Sequence, residues 1–166
     1  MLKLSVREAV EADAKEIAAL RVAAADDLTV RFGKGFWSSN TTDRGVLLGM
    51  KQGEVLIATR AGTIVGTLTL STRKPWAIDT AYFTRVKTPL YLTSMAVAPE
   101  MQGKGVGRFM LDEANKAVKA WPGHAIRLDA FDAEAGAGGF YAKCGYKERG
   151  RAVFRSVPLI YYELLL

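Results

Sequence analysis

In the stretch "MAVAPEMQGKGVGRFMLDEANKAV", Gly103, Gly105 and Gly107 fall within five residues, directly ahead of a long amphipathic run. Glycine costs a helix interior about 1 kcal/mol relative to alanine, so three of them at its threshold need a reason. A strand that turns on glycines into a helix aims backbone N–H groups out of the positive end of the helix dipole, with no Cβ atoms in the way. That arrangement is a cradle for phosphate. The charges agree: Lys104 and Arg108 flank the turn, and the first acid on the helix is Asp112. First turns ordinarily attract Asp or Glu, and one without them leaves room for an outside anion. A glycine turn with no ligand at all is the bland alternative.

Three phosphate-binding patterns compete for this stretch. A P-loop needs G-x-x-x-x-G-K-[ST], and no such run occurs; Gly103-Lys104 is followed by Gly105. A dinucleotide fingerprint needs G-x-G-x-x-G; Gly103 and Gly105 fit, but the third position is Arg108. The pattern Q/R-x-x-G-x-G/A is met in full by Gln102, Gly105 and Gly107.

The elements that must hold this turn can be read from periodicity. Residues 90–98 form a strand ended by Pro99, and from Gly105 a helix places Val106, Phe109, Met110, Ala114, Ala117, Val118 and Trp121 on one face until Pro122 and Gly123 stop it. Upstream, residues 2–10 alternate as a strand, and Asp13 is placed to cap a helix through Ile17, Leu20 and Val22. Residues 26–45 read as an irregular loop with a short helical piece, with Thr42 or Asp43 starting another helix. "EVLIATR" and "IVGTLTLS" around Gly62 are a β-hairpin. Residues 72–89 show no period and read as a mobile loop. Downstream come a strand at 125–131, a helix over 132–144 closed by Gly145, and a final antiparallel pair. The order β, α, α, β, β, β, α, β, α, β, β defines a mixed α/β chain.

At this point the sequence resembles the GNAT superfamily of acyl-CoA-dependent N-acyltransferases. "LTSMAVAPEMQGKGVGRFMLDEA" is similar to that family's strand, Pro-Glu, Q-x-x-G-x-G and helix, and "IRLDAFDAEAGAGGFYAKCGYKERGR" to its second signature about thirty residues on. The likeness covers 54–71 and 90–151, is loose at the N-terminus and is absent over 72–89. It implies a single domain over 1–166 with a mixed, mostly antiparallel sheet, two central splayed parallel strands and flanking helices. It implies acetyl-CoA as co-substrate and no metal. Backbone groups of Met95, Ala96 and Val97 would hold the pantetheine arm and polarise the thioester carbonyl. N–H groups over Gln102, Gly103, Lys104, Gly105, Val106 and Gly107, helped by Arg108, would hold the pyrophosphate. Tyr141 matches the family tyrosine that protonates the leaving thiolate. Where many relatives carry an Asn seven residues before it, this chain has Glu134.

The implied reaction is acetyl transfer to a primary amine, on a small molecule or a peptide, by direct attack in a ternary complex. A CoA-binding module of the same fold without turnover is the alternative, since the strand 90–98 carries no carboxylate to serve as base. Ser94 and Tyr91 are its reactive-looking side chains, and Glu163 on the last strand is a further candidate, more simply read as facing solvent. The glycines Gly136, Gly138 and Gly139 would let the cofactor pass close over a helix, or else mark an irregular segment. Phe32, Phe36, Trp37, Trp76, Tyr82 and Phe83 lie in the two irregular stretches, where they shape an acceptor pocket or pin loops to the core. Asp26, Asp27, Asp43 and Asp79 could attract a cationic amine.

Composition bounds the rest. The chain has 166 residues, 49% of them hydrophobic, with no apolar run near the ~20 residues that span a bilayer. The first residues carry acids rather than a signal-peptide core, and one cysteine forms no internal disulfide, so the expected location is the cytoplasm, with no membrane partner. The net charge is +6, and residues 51–110 hold eight Lys and Arg against three Asp and Glu. That excess points to an anionic ligand near the glycines rather than to a nucleic-acid surface. Cys144 and His124, the sole cysteine and histidine, lack any signature of a nucleophilic pair and cannot assemble a metal cluster. A homodimer is compatible with the resemblance.

Overall fold

The computed structural model describes residues 2–38 and 41–166. Ser39 and Asn40, inside the expected loop of residues 26–45, lie outside the described residues. The chain forms two compact units, Met1–Ser71 with Thr93–Ala114, and Thr72–Leu92 with Asn115–Leu166.

In the first unit, strand β1 is confined to Ser5–Glu8, shorter than the alternation suggested. Asp13 stands at the N-cap of helix α1 (Ala14–Phe32) but does not cap it. Its carboxylate is taken by Arg7, at 2.8 and 3.0 Å, and by the Val10 N–H at 2.8 Å. Helix α1 runs on through residues 26–32, where an irregular loop was expected. Local contacts carry it: Asp27 and Arg31 pair at 2.9 Å one turn apart, and the Thr29 hydroxyl donates to the Ala25 carbonyl. The short helical piece is a 3-10 turn at Phe36–Ser38. Helix α2 (Asp43–Gln52) starts as expected, with the Thr42 side chain accepting from the Gly45 N–H. Strands β2 (Glu54–Arg60) and β3 (Thr63–Ser71) pair antiparallel across Ala61 and Gly62, both at positive φ as a tight hairpin turn requires. Strand β1 pairs antiparallel with β2.

Strand β4 (Pro89–Val97) runs through both units. Helix α3 (Val106–Ala120) follows it after the glycine turn. Its buried face in the first unit is Val106, Met110, Leu111 and Ala114, and burying each large side chain stabilises the fold by about 1.5–3 kcal/mol. Gly66 on β3 is what admits this helix: a Cβ there would sit 2.5 Å from the Met110 sulfur. Trp121, expected on the same face, lies beyond the helix end and is exposed.

The second unit holds strands β5 (Ala125–Phe131), β6 (Lys147–Phe154) and β7 (Val157–Leu165), and helix α4 (Gly138–Lys143). Strand β5 pairs parallel with β4 over Pro89–Tyr91 against Ala125–Arg127, and antiparallel with β7 along its whole length. The strand order of the seven-stranded sheet is β1-β2-β3-β4-β5-β7-β6, mixed and mostly antiparallel with the one parallel pair at β4 and β5. Helix α4 is shorter than the 132–144 expectation, because residues 132–137 form bends and turns; Gly145, at φ +91°, ends it as expected.

The segment 72–89 is not a loop without anchorage. Ile78 and Phe83 are buried with Tyr91, Leu159 and Tyr161, and a 3-10 turn at Thr80–Tyr82 is capped by the Asp79 side chain. The charge also divides differently from the sequence windows. Lys and Arg balance Asp and Glu in the first unit, eleven of each, while the second holds twelve against six. The excess read around the glycines belongs mostly to Arg73, Lys74, Arg85 and Lys87 of the 72–89 segment.

Candidate active site

The glycine turn has the backbone of an anion cradle. Gly103 and Gly105 sit at φ +72° and +88°, a region closed to most side chains, and a Cβ on either would meet nothing within 4 Å. The space in front of the turn is open. The Phe109 N–H donates to Gly105 O at 3.0 Å, which opens the helical ladder of α3. The amides of Val106 and Gly107 therefore precede the intrahelical ladder. No acid stands in the first helical turn, and Lys104 and Arg108 are exposed beside it. Gln102 shapes the turn, its side chain donating to the Val97 carbonyl at 3.1 Å.

On the strand that leads into the turn, Ser94 takes a left-handed φ of +53°, an uncommon conformation for a non-glycine residue. Past it, Met95, Ala96 and Val97 are half-buried, and the Ala98 N–H is tied to Val65 O at 2.9 Å. All the sequence-derived cofactor residues, 95–97 and 102–108, thus lie in the first unit. Open space, positive-φ glycines, exposed cations and amides ahead of the ladder fit the pyrophosphate of an acyl-CoA.

Tyr141 lies in the second unit, buried among aromatic rings. Its ring is 5.3 Å from Phe140, 5.7 Å from Tyr146 and 6.2 Å from Tyr162, centroid to centroid. Burial, with smaller contributions from the charges of Asp129 and Cys144, holds its hydroxyl protonated well above the ordinary tyrosine range. Tyr146 shifts the same way, mainly through burial, and its buried hydroxyl has no hydrogen-bond partner.

Asp129 is the residue that sequence reasoning missed. It stands on β5 in register with Tyr161 of β7, and burial raises its carboxyl pKa above the usual carboxylate range. Its charge also raises the proton affinity of Tyr141 and of Tyr161. The signal for it in "AIRLDAF" is slight: one acid, two residues after Arg127, on a strand whose other residues are apolar. The sequence pattern points instead to residues 90–98 as the strand for such an acid, and that strand has none.

Other expectations change with the structure. Glu163 does not face solvent: it is buried and bonded to Arg127. Gly136 and Gly138 serve the protein's own packing, since a Cβ would lie 2.0 Å from Phe131 O at the first and 2.7 Å from the Tyr162 hydroxyl at the second. Only Gly139 of that trio faces open space. Among the acceptor-pocket candidates, Phe83 is a core residue, Phe32, Phe36, Trp76 and Tyr82 are exposed, and Trp37 is half-buried. Glu134 is exposed. His124 accepts the Thr88 N–H at its Nδ1. Among the described residues, no group of three or more His, Cys, Asp and Glu could hold a metal ion, and no helix is long and apolar enough to cross a membrane.

This chain belongs to the GNAT acetyltransferase family: the profile described as an acetyltransferase (GNAT) domain matches residues 51–148. Solved structures share its fold across nearly its whole length. A GNAT-family acetyltransferase from Listeria monocytogenes is 22% identical, with a TM-score of 0.78, covering 99% of this chain and 96% of that one. The Salmonella typhimurium protein yncA, solved with its cofactor acetyl-CoA, is 16% identical with a TM-score of 0.72, covering 98% and 94%. A ribosomal-protein-alanine N-acetyltransferase from Brucella melitensis is 21% identical with a TM-score of 0.71, covering 98% and 99%. At these identities the likeness is one of fold. No curated protein matches the chain. The family's acyl donor is acetyl-CoA.

Proposed function

We propose that this protein transfers an acetyl group from acetyl-CoA to a primary amine by direct attack in a ternary complex. Acetyl-CoA supplies the electrophilic thioester carbonyl. In this assignment the amides over residues 103–107 and the cations Lys104 and Arg108 hold its pyrophosphate, and backbone groups of Met95, Ala96 and Val97 hold the pantetheine arm; the Gln102 N–H, expected in the cradle, is taken by Pro99 O at 3.3 Å. Asp129 accepts the proton that an ammonium must lose before it can attack. Tyr141 keeps its proton at neutral pH and gives it to the departing sulfur. The observation that carries the proposal is the pairing, within one unit, of a half-buried carboxylate of raised proton affinity with a buried phenol that feels its charge. It answers the objection that 90–98 carries no base, and so favours turnover over a binding module.

The test is thiol release from acetyl-CoA across a panel of primary amines, with Asp129→Asn and Tyr141→Phe. General acid or base catalysis is worth about 10²–10⁴-fold, so Asp129→Asn should lower kcat by that range and remove an acidic limb of the pH profile that does not move with the amine's own pKa. Tyr141→Phe should lower kcat by roughly 10- to 100-fold, the low end because a thiolate leaves readily, with CoA affinity little changed. Full activity in both variants, with chemistry shown to limit turnover, would reject the assignment.

Asp129→Asn carries a second expectation of opposite sign. The folded-state pKa of Asp129 is raised, so its stabilising contribution is present below its unfolded pKa and is lost as pH rises through the folded one. Above that folded pKa the protein carries a desolvated charge there, so the variant should melt at a higher temperature than the wild type at alkaline pH, with the gap closing as pH falls.

A further inference from the structure

Four residues stand in one register row across the second unit: Tyr91 on β4, Arg127 on β5, Glu163 on β7 and Lys147 on β6. Arg127 and Glu163 are only 4% and 3% exposed, and their side chains meet at 3.2 Å. A buried ion pair is a poor way to gain stability, because well-packed apolar residues in its place usually do as well or better. What apolar residues could not supply is the set of hydrogen bonds this pair makes outside the sheet. Arg127 Nη2 donates to the Thr84 carbonyl at 2.6 Å, and the Thr84 N–H donates to Glu163 Oε1 at 3.2 Å. One residue of the 72–89 segment is thus grasped at both its backbone donor and its acceptor. Arg127 also donates to the Tyr91 hydroxyl and lies over the Phe83 ring, 5.0 Å from its centre.

The same segment is held at further points. Arg149 Nε donates to Tyr82 O at 3.2 Å and lies 3.9 Å from Glu163. The Tyr161 hydroxyl donates to Ala77 O and accepts the Asp79 N–H. The Tyr82 ring sits where a Cβ on Gly150 would come within 2.4 Å of it, at the bulge between Glu148 and Gly150 of β6. Residues 77–84 are therefore docked by backbone contacts as well as by Ile78 and Phe83. Trp76, just ahead of them, is 82% exposed.

Asp129 lies two residues from Arg127 on β5 and in register with Tyr161, so the segment that Arg127 and Tyr161 hold borders the proposed base. We infer that the Arg127–Glu163 pair is a positioning device: by clasping the Thr84 backbone it fixes residues 77–84, and with them Trp76 and Tyr82, as the wall against which the acceptor amine is oriented. This rests on the proposed acetyl transfer, and it gives the buried pair a role in acceptor selection that its contribution to stability does not explain.

The experiment uses the full chain. The double variant Arg127→Met with Glu163→Leu removes both charges together, so no buried charge is left unpaired. Arg127→Lys keeps the charge but loses the fork that reaches Thr84. Both are compared with wild type for melting temperature, CoA affinity by calorimetry, KM and kcat over the amine panel, and hydrogen exchange of the Thr84 amide. Misplaced substrate contacts cost up to about 10²-fold, so acceptor KM should rise roughly 10-fold or more in each variant while CoA affinity stays within about 2-fold. Thr84 should exchange slowly in wild type, as strand amides do, and rapidly in the double variant. A folded double variant with unchanged acceptor KM and Thr84 protection would overturn the inference. If the double variant does not fold, Arg127→Lys decides: a raised acceptor KM supports the clasp, and an unchanged one overturns it. If wild type transfers acetyl to no amine, the proposed function fails and the acceptor wall with it. Thr84 exchange then still reads whether the clasp exists.

Discussion

Two glycine-rich stretches of this chain look alike in sequence and are used in opposite ways. At 103–107 the backbone is bent into positive φ, a Cβ on Gly103 or Gly105 would meet nothing, and the helix amides behind the turn are left ahead of the hydrogen-bonded ladder. At 136–139 the space that glycine vacates is filled by the protein itself. Phe131 O occupies it at Gly136, and the Tyr162 hydroxyl at Gly138. The first stretch is an opening, which the proposed function gives to the cofactor; the second is a close contact inside the chain. A glycine in a sequence says that something must come near the backbone. Whether that something is a ligand or the chain itself depends on what the fold brings there.

The contrast can be broken from either side. Gly136→Ala places a Cβ 2.0 Å from one backbone oxygen and 3.1 Å from another, and backbone cannot step aside as a side-chain tip can. It should destabilise by about 2–4 kcal/mol, a fall in Tm of roughly 5–15 °C for a chain of this size. CoA affinity of the folded fraction should not change. Gly105→Val has the reverse profile. Its Cβ meets no atom within 4 Å, and its main cost to folding is the strain of a side chain at positive φ, about 1–2 kcal/mol. Hydrogen bonds to a charged group are worth about 1.5–3 kcal/mol each, so obstructing the amides should weaken CoA binding by roughly 10²-fold. Thermal melts and calorimetric titration of both variants check this. Equal losses of Tm and of affinity in the two would mean that the stretches do the same job.

What was legible in the sequence follows the same division. The glycine turn and the helix behind it could be read because their signals are local: Gln102, three glycines and the absence of acids before Asp112 all fall within eleven residues. The element order could be read for the same reason. Asp129 could not, because its chemistry comes from burial on a strand flanked by β7, and "RLDAF" carries no trace of that. The Arg127–Glu163 pair is separated by 36 residues and exists only through strand register. The 72–89 segment looked structureless because backbone bonds to side chains on β5, β6 and β7 order it, and these leave no periodicity. Residues 26–32 read as loop because the aromatic, glycine-bearing stretch that follows them is irregular, whereas in place Asp27 and Thr29 bond along their own helix.

Gly139 is the position where the two uses of glycine meet. It belongs to the second stretch, yet like Gly103 and Gly105 it has open space where a Cβ would go, and its φ is not positive. Neither strain nor internal packing therefore explains it. Left to helix propensity alone, Gly139→Ala should stabilise by up to about 1 kcal/mol. If the cofactor passes close over α4, the added methyl should also weaken CoA binding by a few-fold, an effect far smaller than at Gly105 because it displaces contact without removing a hydrogen bond. The expected outcome is a modest rise in Tm with a modest loss of CoA affinity, read by the same melts and titrations. A rise in Tm with unchanged affinity would place Gly139 outside the cofactor's path and leave the first stretch as the one glycine signal in this chain that concerns a ligand.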